Sequence, residues 1–252
     1  MTYQVRIYTF RITLADNEDS PKSTNTPMPT DSFVFPAQRD RCVLHLGYSC
    51  PWAHRINIAR ILKGLEDIIE LAILDRSRAR TGGSSLASLV DPRTRAIPVL
   101  WYKQRQTIAN NGSSEIIRML YAKLGHLLPY AMREANQPGG GLYPAPLRAD
   151  IDAMNDWVYD KIQLFETLDR VEEHLGQPGH QPYLFGANIT EADIRLYTTI
   201  ARFDVAYYLI FRCNPRMIRH NYPRIDRWYW QLYYDQWDKT RGPFRKTTSF
   251  IW

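Results

Sequence analysis

The sequence predicts two halves of different class: an α/β N-terminal half followed by an all-α C-terminal half. Three observations carry this. Short apolar runs that read as strands fall between about residues 42 and 109, and a helical pattern opens at Cys50-Pro51 just after the first of them. Beyond Pro138-Gly139-Gly140-Gly141 the strand signals stop and apolar residues recur at helical spacing. The 252 residues, 44% of them hydrophobic, suffice for one large domain or two modest ones with a sizeable core.

In chain order, residues 1–40 read as a peripheral arm, rich in Ser, Thr, Asn and Pro over 16–31. Residues 41–128 form the first domain. Cys42–Leu46 reads as a strand that stops at Gly47. The next helix runs from Cys50 to about Gly64. Pro51 suits its first turn, where the N–H has no partner anyway; Ile56, Ala59, Ile61 and Leu62 supply its apolar face; Gly64 caps its end. Ile68–Leu74 reads as a second strand, and Asp75–Arg95 as a loop with one weak helix near Leu86–Val90. Ala96–Trp101 is a strand interrupted by Pro98, which cannot donate to a central ladder; a cis Ile97-Pro98 bond at the strand start accounts for it. Thr107–Ala109 is its hairpin partner. Ser113 opens a helix to about Leu124 on the capping preference of serine. This order of strand, helix, strand, loop, strand, strand, helix is that of a thioredoxin-like domain.

Residues 129–146 read as a linker, and 147–252 as an all-helical domain. Ala149–Ile162 runs on into Phe165–Leu175 with helical periodicity, and Leu184-Phe185-Gly186 is a turn. Thr190 and Asp193 form an aspartate variant of the capping box that starts an apolar helix. Asp204–Ile210 continues apolar and aromatic, and Ile225–Trp237 is a further helix. Trp157 and Tyr159 read as core, with a place lining the cleft as the alternative.

Cys50 is the residue with chemistry. A cysteine that follows a strand and opens a helix sits at the positive end of the helix beside unsatisfied backbone N–H groups, a position that favours the thiolate. His54 and Arg55, one turn on, add positive potential. Cys42 and Cys213 fit the commoner role of a small buried hydrophobe. Ala53 occupies the place of a second motif cysteine, so no dithiol forms within the motif. A single thiol needs an external thiol to resolve its mixed disulfide, and glutathione is the abundant one in a reducing cell.

Composition narrows the function classes. The net charge is +6, but Lys and Arg are scattered, with neither metal-finger spacing nor a recognition-helix signature, so nucleic acid is not an expected partner. Three cysteines, an odd number, argue against a disulfide scaffold and for a reducing compartment. With no run of membrane-span length and no signal-peptide core at the N-terminus, a cytoplasmic protein without membrane attachment is expected.

The motifs resemble a known family. Cys50-Pro51-Trp52-Ala53-His54-Arg55, Leu62-Lys63-Gly64-Leu65-Glu66, Ile97-Pro98-Val99-Leu100-Trp101, Ser113-Ser114-Glu115-Ile116-Ile117-Arg118, Asn155-Asp156-Trp157, Arg202-Phe203-Asp204 and Cys213-Asn214 together resemble the Xi-class glutathione transferases, the glutathionyl-hydroquinone reductases. The resemblance spans about Arg41 to Tyr233. It implies a thioredoxin-like glutathione-binding domain, an all-helical glutathione-transferase domain, glutathione as co-substrate, no metal, glutathionylated quinols as substrates and a homodimer.

By the same resemblance, Cys50 is the nucleophile and Tyr222 a proton donor near it. Ile97 and Pro98 offer backbone to the cysteinyl part of glutathione, Ser113 holds the γ-glutamyl carboxylate, and Arg95 adds a cation. The sequence departs from the family at three places. Gly112 stands where the family has glutamate, Asp75–Arg95 lacks the family's tryptophan, and the segment after Asp160 is shortened. These departures keep two further readings open: a catalytically impaired or non-catalytic binding protein of the same fold, and an omega-like thiol transferase or dehydroascorbate reductase using the same cysteine.

Overall fold

The computed structural model describes residues 36–47, 50–73, 97–159, 164–208, 215–235 and 240–248. The expected helix near Leu86–Val90, Arg95, Cys213 and the shortened segment after Asp160 lie outside them. A four-stranded mixed sheet has the order β2-β1-β3-β4, formed by β1 (Cys42–Leu46), β2 (Glu70–Ile73), β3 (Val99–Tyr102) and β4 (Thr107–Asn110). β1 pairs parallel with β2, Leu44 opposite Leu71, and antiparallel with β3, Leu44 opposite Leu100. β3 and β4 form the hairpin, with an irregularity between Leu100 and Trp101. β2 starts two residues later than expected, because Ile68 and Ile69 donate their amides back to Leu65 in a turn and bury their side chains there. β3 starts three residues later than expected, after Pro98.

Helix α1 (Pro51–Leu62) organises the molecule. Pro51 opens it, and a Schellman motif closes it: Gly64, at φ +67°, donates to Ile61 O at 2.9 Å and Leu65 donates to Arg60 O at 2.9 Å. Every residue from Ala53 to Ile61 is buried, the polar His54, Arg55, Asn57 and Arg60 included. A helix buried all round must be covered on both sides. Its partners are α2 (Ser113–Ala122) from its own domain, and α5 (Glu191–Arg202) and α8 (Pro243–Thr248) from the helical domain. The rest of that domain is α3 (Arg148–Tyr159), α4 (Leu164–His174), α6 (Ile218–Asn221) and α7 (Pro223–Tyr234).

Between the halves, residues 130–147 fold as four short 3₁₀ turns. Two acids, Glu134 half-buried and Glu191 fully buried, fasten this junction. Glu134 accepts from Lys63 Nζ at 2.6 Å and from the amides of Leu142 and Tyr143; the Lys63 side chain is 1% exposed. Gly141, at φ +82°, is required there, since a Cβ would strike the Glu134 carboxylate. Glu191, fully buried, pairs with Arg195 and accepts from Tyr121 Oη at 2.8 Å and from Arg118 Nε at 3.4 Å on α2. Burying either acid alone would be costly, so each is held by several donors.

The expected capping box starts α5. Asp193 Oδ2 accepts from the Thr190 amide at 2.9 Å and the Thr190 hydroxyl at 2.8 Å. Its other oxygen accepts from the Leu184 amide at 2.9 Å and from Trp228 Nε1 on α7 at 3.0 Å. Replacing Asp193 with alanine orphans these buried donors. Asp193→Ala should cost about 3 kcal/mol or more of stability, lowering the thermal midpoint by about 6–12 °C; calorimetry checks it.

Candidate active site

Cys50 is the N-cap of α1, with extended backbone (φ −86°, ψ 116°), and its amide donates to Gly47 O at 3.0 Å. Its Sγ lies 3.5 Å from the carbonyl oxygen of Ile97. The Ile97-Pro98 bond is cis, as expected, and Pro98 is buried at the entry to β3. The strand-to-helix junction and the proline loop therefore meet at the sulfur. Cys50 is only partly buried, so reagents can reach it. Cys42, on the neighbouring strand, is also partly exposed, but burial pushes its thiol up to about 11, which keeps it protonated and inert.

Ser113 is brought to the same corner, but not as a cap. Gly112 is the N-cap of α2 and Ser113 is the first helical residue. The reason is local: Asn110 Oδ1 accepts the Gly112 amide at 2.6 Å, which fixes the turn, and the Ser113 hydroxyl is taken by Arg55 Nη2 from α1. Arg55 also lies 4.4 Å over the ring of Trp52. A guanidinium, a serine hydroxyl and a helix N-terminus thus converge between Cys50 and α2, a combination suited to a carboxylate. Gly112 leaves room beside it for Glu115. The Glu115 carboxylate accepts from Asn110 Nδ2 at 2.7 Å and lies 3.1 Å from where a Cβ on residue 112 would be. An acidic group therefore still stands at the start of α2, supplied one turn later.

Tyr222 and Trp157 are set by elements of the helical domain. Tyr222 precedes α7 with its ring 1% exposed, beneath Arg216, which pairs with Asp169 of α4. Burial and the neighbouring Asp169 push its phenol up to about 12. Trp157, expected in the core, packs at the core's edge under Arg170 and lines a cleft of about 610 Å³ together with His174, His180 and Phe185. Cys50 is not among the residues of that cleft.

The sequence reading missed what lies behind Cys50. His54, one turn into α1, is 4% exposed. Arg202, the last residue of α5, approaches its Nδ1 at 2.9 Å, and Thr247 Oγ1 of α8 lies 2.8 Å from its Nε2. Arginine only donates, so Nδ1 is the acceptor and Nε2–H donates to Thr247, which donates in turn to Pro243 O at 2.6 Å. Burial, reinforced by the Arg202 charge, pushes His54 down to about 3 and keeps the ring neutral. After Arg202 the helix widens into a π turn, Phe203–Tyr207. The neutral ring therefore does not add the positive potential that the sequence suggested for His54; of this network the sequence had singled out only the Cys50-Pro51-Trp52-Ala53-His54-Arg55 and Arg202-Phe203-Asp204 strings.

This is the build of a thioredoxin-like domain that presents one sulfur rather than two at the start of its first helix, with a helical domain laid against that helix. The models for the glutathione S-transferase N-terminal domain and C-terminal domain match residues 49–123 and 134–229. Glutathione S-transferase omega-like 2 of Schizosaccharomyces pombe is 34% identical, over 86% of this chain and 80% of that protein. Glutathionyl-hydroquinone reductase YqjG of Escherichia coli is 34% identical, over 76% and 69%. Its glutathione-bound structure superposes with a TM-score of 0.69 at 30% identity, over 84% of this chain and 77% of that one. The Xi glutathione S-transferase of Phanerochaete chrysosporium superposes at 0.73 with 36% identity, over 85% and 79%. The chain belongs to the glutathione S-transferase family, and within it to the Xi class.

His54 ties the site to stability. Its folded pKa lies below the ordinary 6.5, so as pH falls below 6.5 the unfolded chain takes up a proton that the folded chain refuses. The stabilisation is complete above pH 6.5 and is lost toward pH 3, at about 1.4 kcal/mol per pH unit from this group. In urea unfolding between pH 7 and 5, His54→Gln should show a pH dependence shallower by that slope; an unchanged dependence contradicts the assignment.

Proposed function

We propose that the chain is a glutathione-dependent reductase that removes glutathione from S-glutathionyl-hydroquinones through a mixed disulfide on Cys50. One observation carries this reading: a lone, partly exposed cysteine at the N-cap of a buried helix, facing the cis-proline loop. The names of the E. coli relative and of the glutathione complex support the substrate class.

In the first step the Cys50 thiolate attacks the sulfur of the glutathionyl adduct. The Cys50–glutathione S–S bond forms and the sulfur–aryl bond breaks. Its electron pair goes to the ring, and a proton completes the free hydroquinone. In the second step a glutathione thiolate attacks the mixed disulfide, releasing glutathione disulfide and returning Cys50 as thiolate. Both electrons for the quinol's reduction thus come from thiol oxidation, and no metal or nucleotide takes part.

Arg55, Ser113 and the start of α2 hold the γ-glutamyl carboxylate in this reading, Glu115 the adjoining ammonium, and the backbone of Ile97 the cysteinyl unit. Arg95 adds a cation from outside the described residues. Tyr222 serves as proton donor, its phenol kept protonated by burial. We place the protein in the cytoplasm, where glutathione is abundant, and as a homodimer by family resemblance. Among the described residues no helix is long and apolar enough to cross a membrane.

The name of the S. pombe relative favours a second reading, an omega-like thiol transferase using the same sulfur. Steady-state assays separate the two. A glutathionyl-hydroquinone should be turned over with ping-pong kinetics, at a rate at least 10-fold above dehydroascorbate or a simple mixed disulfide, and Cys50→Ser should abolish it. The reverse preference selects the transferase. Equal rates for wild type and Cys50→Ser reject both and leave the non-catalytic reading.

A further inference from the structure

We propose that the cleft between α3 and α4 is a second small-molecule site, separate from Cys50, and that it takes a flat, polyhydroxylated aromatic. The cleft encloses about 610 Å³, within the ~300–1,000 Å³ of sites that hold drug-sized ligands. Its apolar lining includes Met154, 4% exposed, and the half-buried Trp157 and Phe185. His174 and His180 line it as well, their rings stacked at 4.0 Å, with Phe185 edge-on to both. Neither Cys50 nor the Arg55–Ser113 corner belongs to the lining, so the inference stands independently of the reaction assigned to Cys50.

The hydrogen bonds of the two histidines select the chemistry. His174 Nε2 lies 2.7 Å from Leu184 O, and His180 Nδ1 lies 3.2 Å from His174 O. A carbonyl only accepts, so these nitrogens carry the protons. In the neutral rings the opposite nitrogens, His174 Nδ1 and His180 Nε2, are acceptors. Two rings so close do not both take a charge cheaply. Burial, with His180 and Arg170 acting the same way, holds His174 below its ordinary range against the Leu184 carbonyl and Asp150. Asp150 and Glu173 add carboxylates to the lining, which also only accept. The guanidinium of the lining, Arg170, lies 4.3 Å over the Trp157 ring. Two carboxylates against one guanidinium disfavour an anion, and carboxylates as exposed as these hold a cation weakly. A ligand with O–H donors on an aromatic frame meets both the acceptors and the aromatic lining. The quinols freed in the proposed reaction share this chemistry.

Calorimetry on the full chain tests it, with a naphthalenediol whose hydroxyl positions prevent oxidation to a quinone, so that no thiol chemistry intervenes. The diol should bind one to one with a Kd of about 100 μM or tighter, a modest demand for a ligand of that size. Its dimethyl ether, which keeps the frame and loses the donors, should bind about 10-fold more weakly or worse. Ala153→Phe, which fills the cleft from an exposed position on α3, should weaken the diol about 10-fold or more and leave turnover of a glutathionyl-hydroquinone unchanged. His180→Phe keeps a stacked ring without the acceptor nitrogen and should weaken the diol about fivefold. Absence of binding overturns the proposal, as does an ether that binds as tightly as the diol. Binding that survives both Ala153→Phe and His180→Phe lies on another surface, the Cys50 site included, and overturns it too.

Discussion

The structure depends on the placement of the first turn of α1. A strand ends, Pro51 starts a helix, and the one partly exposed sulfur of the turn is left among backbone N–H groups that have no helical partner. Such a turn carries chemistry only if it cannot move. Here α1 is buried along almost its whole length, packed by α2 from its own half and by α5 and α8 from the helical half. The site is therefore rigid because the domains share a helix, and the polar residues of α1 are the means by which they share it.

Charge follows the same division. Arg55 points within the thioredoxin-like half, to Ser113 on α2, and completes an anion-binding corner. Arg202 arrives from the helical half and meets His54. The histidine between them is neutral, so the turn gains two cations without a third. The carboxylates of the interface, Glu134 and Glu191, are spent on Lys63, Arg195, Arg118 and backbone amides, away from the sulfur. The domain junction is thus neutralised by its own pairs.

Much of the fold was legible because its signals are local. Cys42–Leu46 and the Cys50-Pro51 opening announce themselves by composition, Pro98 by its presence in a strand, and Thr190 with Asp193 by spacing. What escaped was set by distant partners. Serine at 113 looks like a cap until Arg55, 58 residues earlier, claims its hydroxyl. Glycine at 112 looks like a lost carboxylate until the Glu115 side chain is seen beside the space it leaves. The pairing of His54 with Arg202 spans 148 residues, and no periodicity reports it. The π turn at Phe203–Tyr207 is invisible for a related reason, since one extra residue per turn leaves a pattern that still reads as helix.

The reactive state of Cys50 is the claim on which the chemistry stands, and its covalent intermediate tests it most directly. The full chain is mixed with a glutathionyl-hydroquinone in the absence of free glutathione, quenched in acid and weighed intact. One glutathione should be added, mapped to Cys50, removed by a reductant and absent from Cys50→Ala. An unmodified chain, or a modification confined to Cys42 or Cys213, would contradict it.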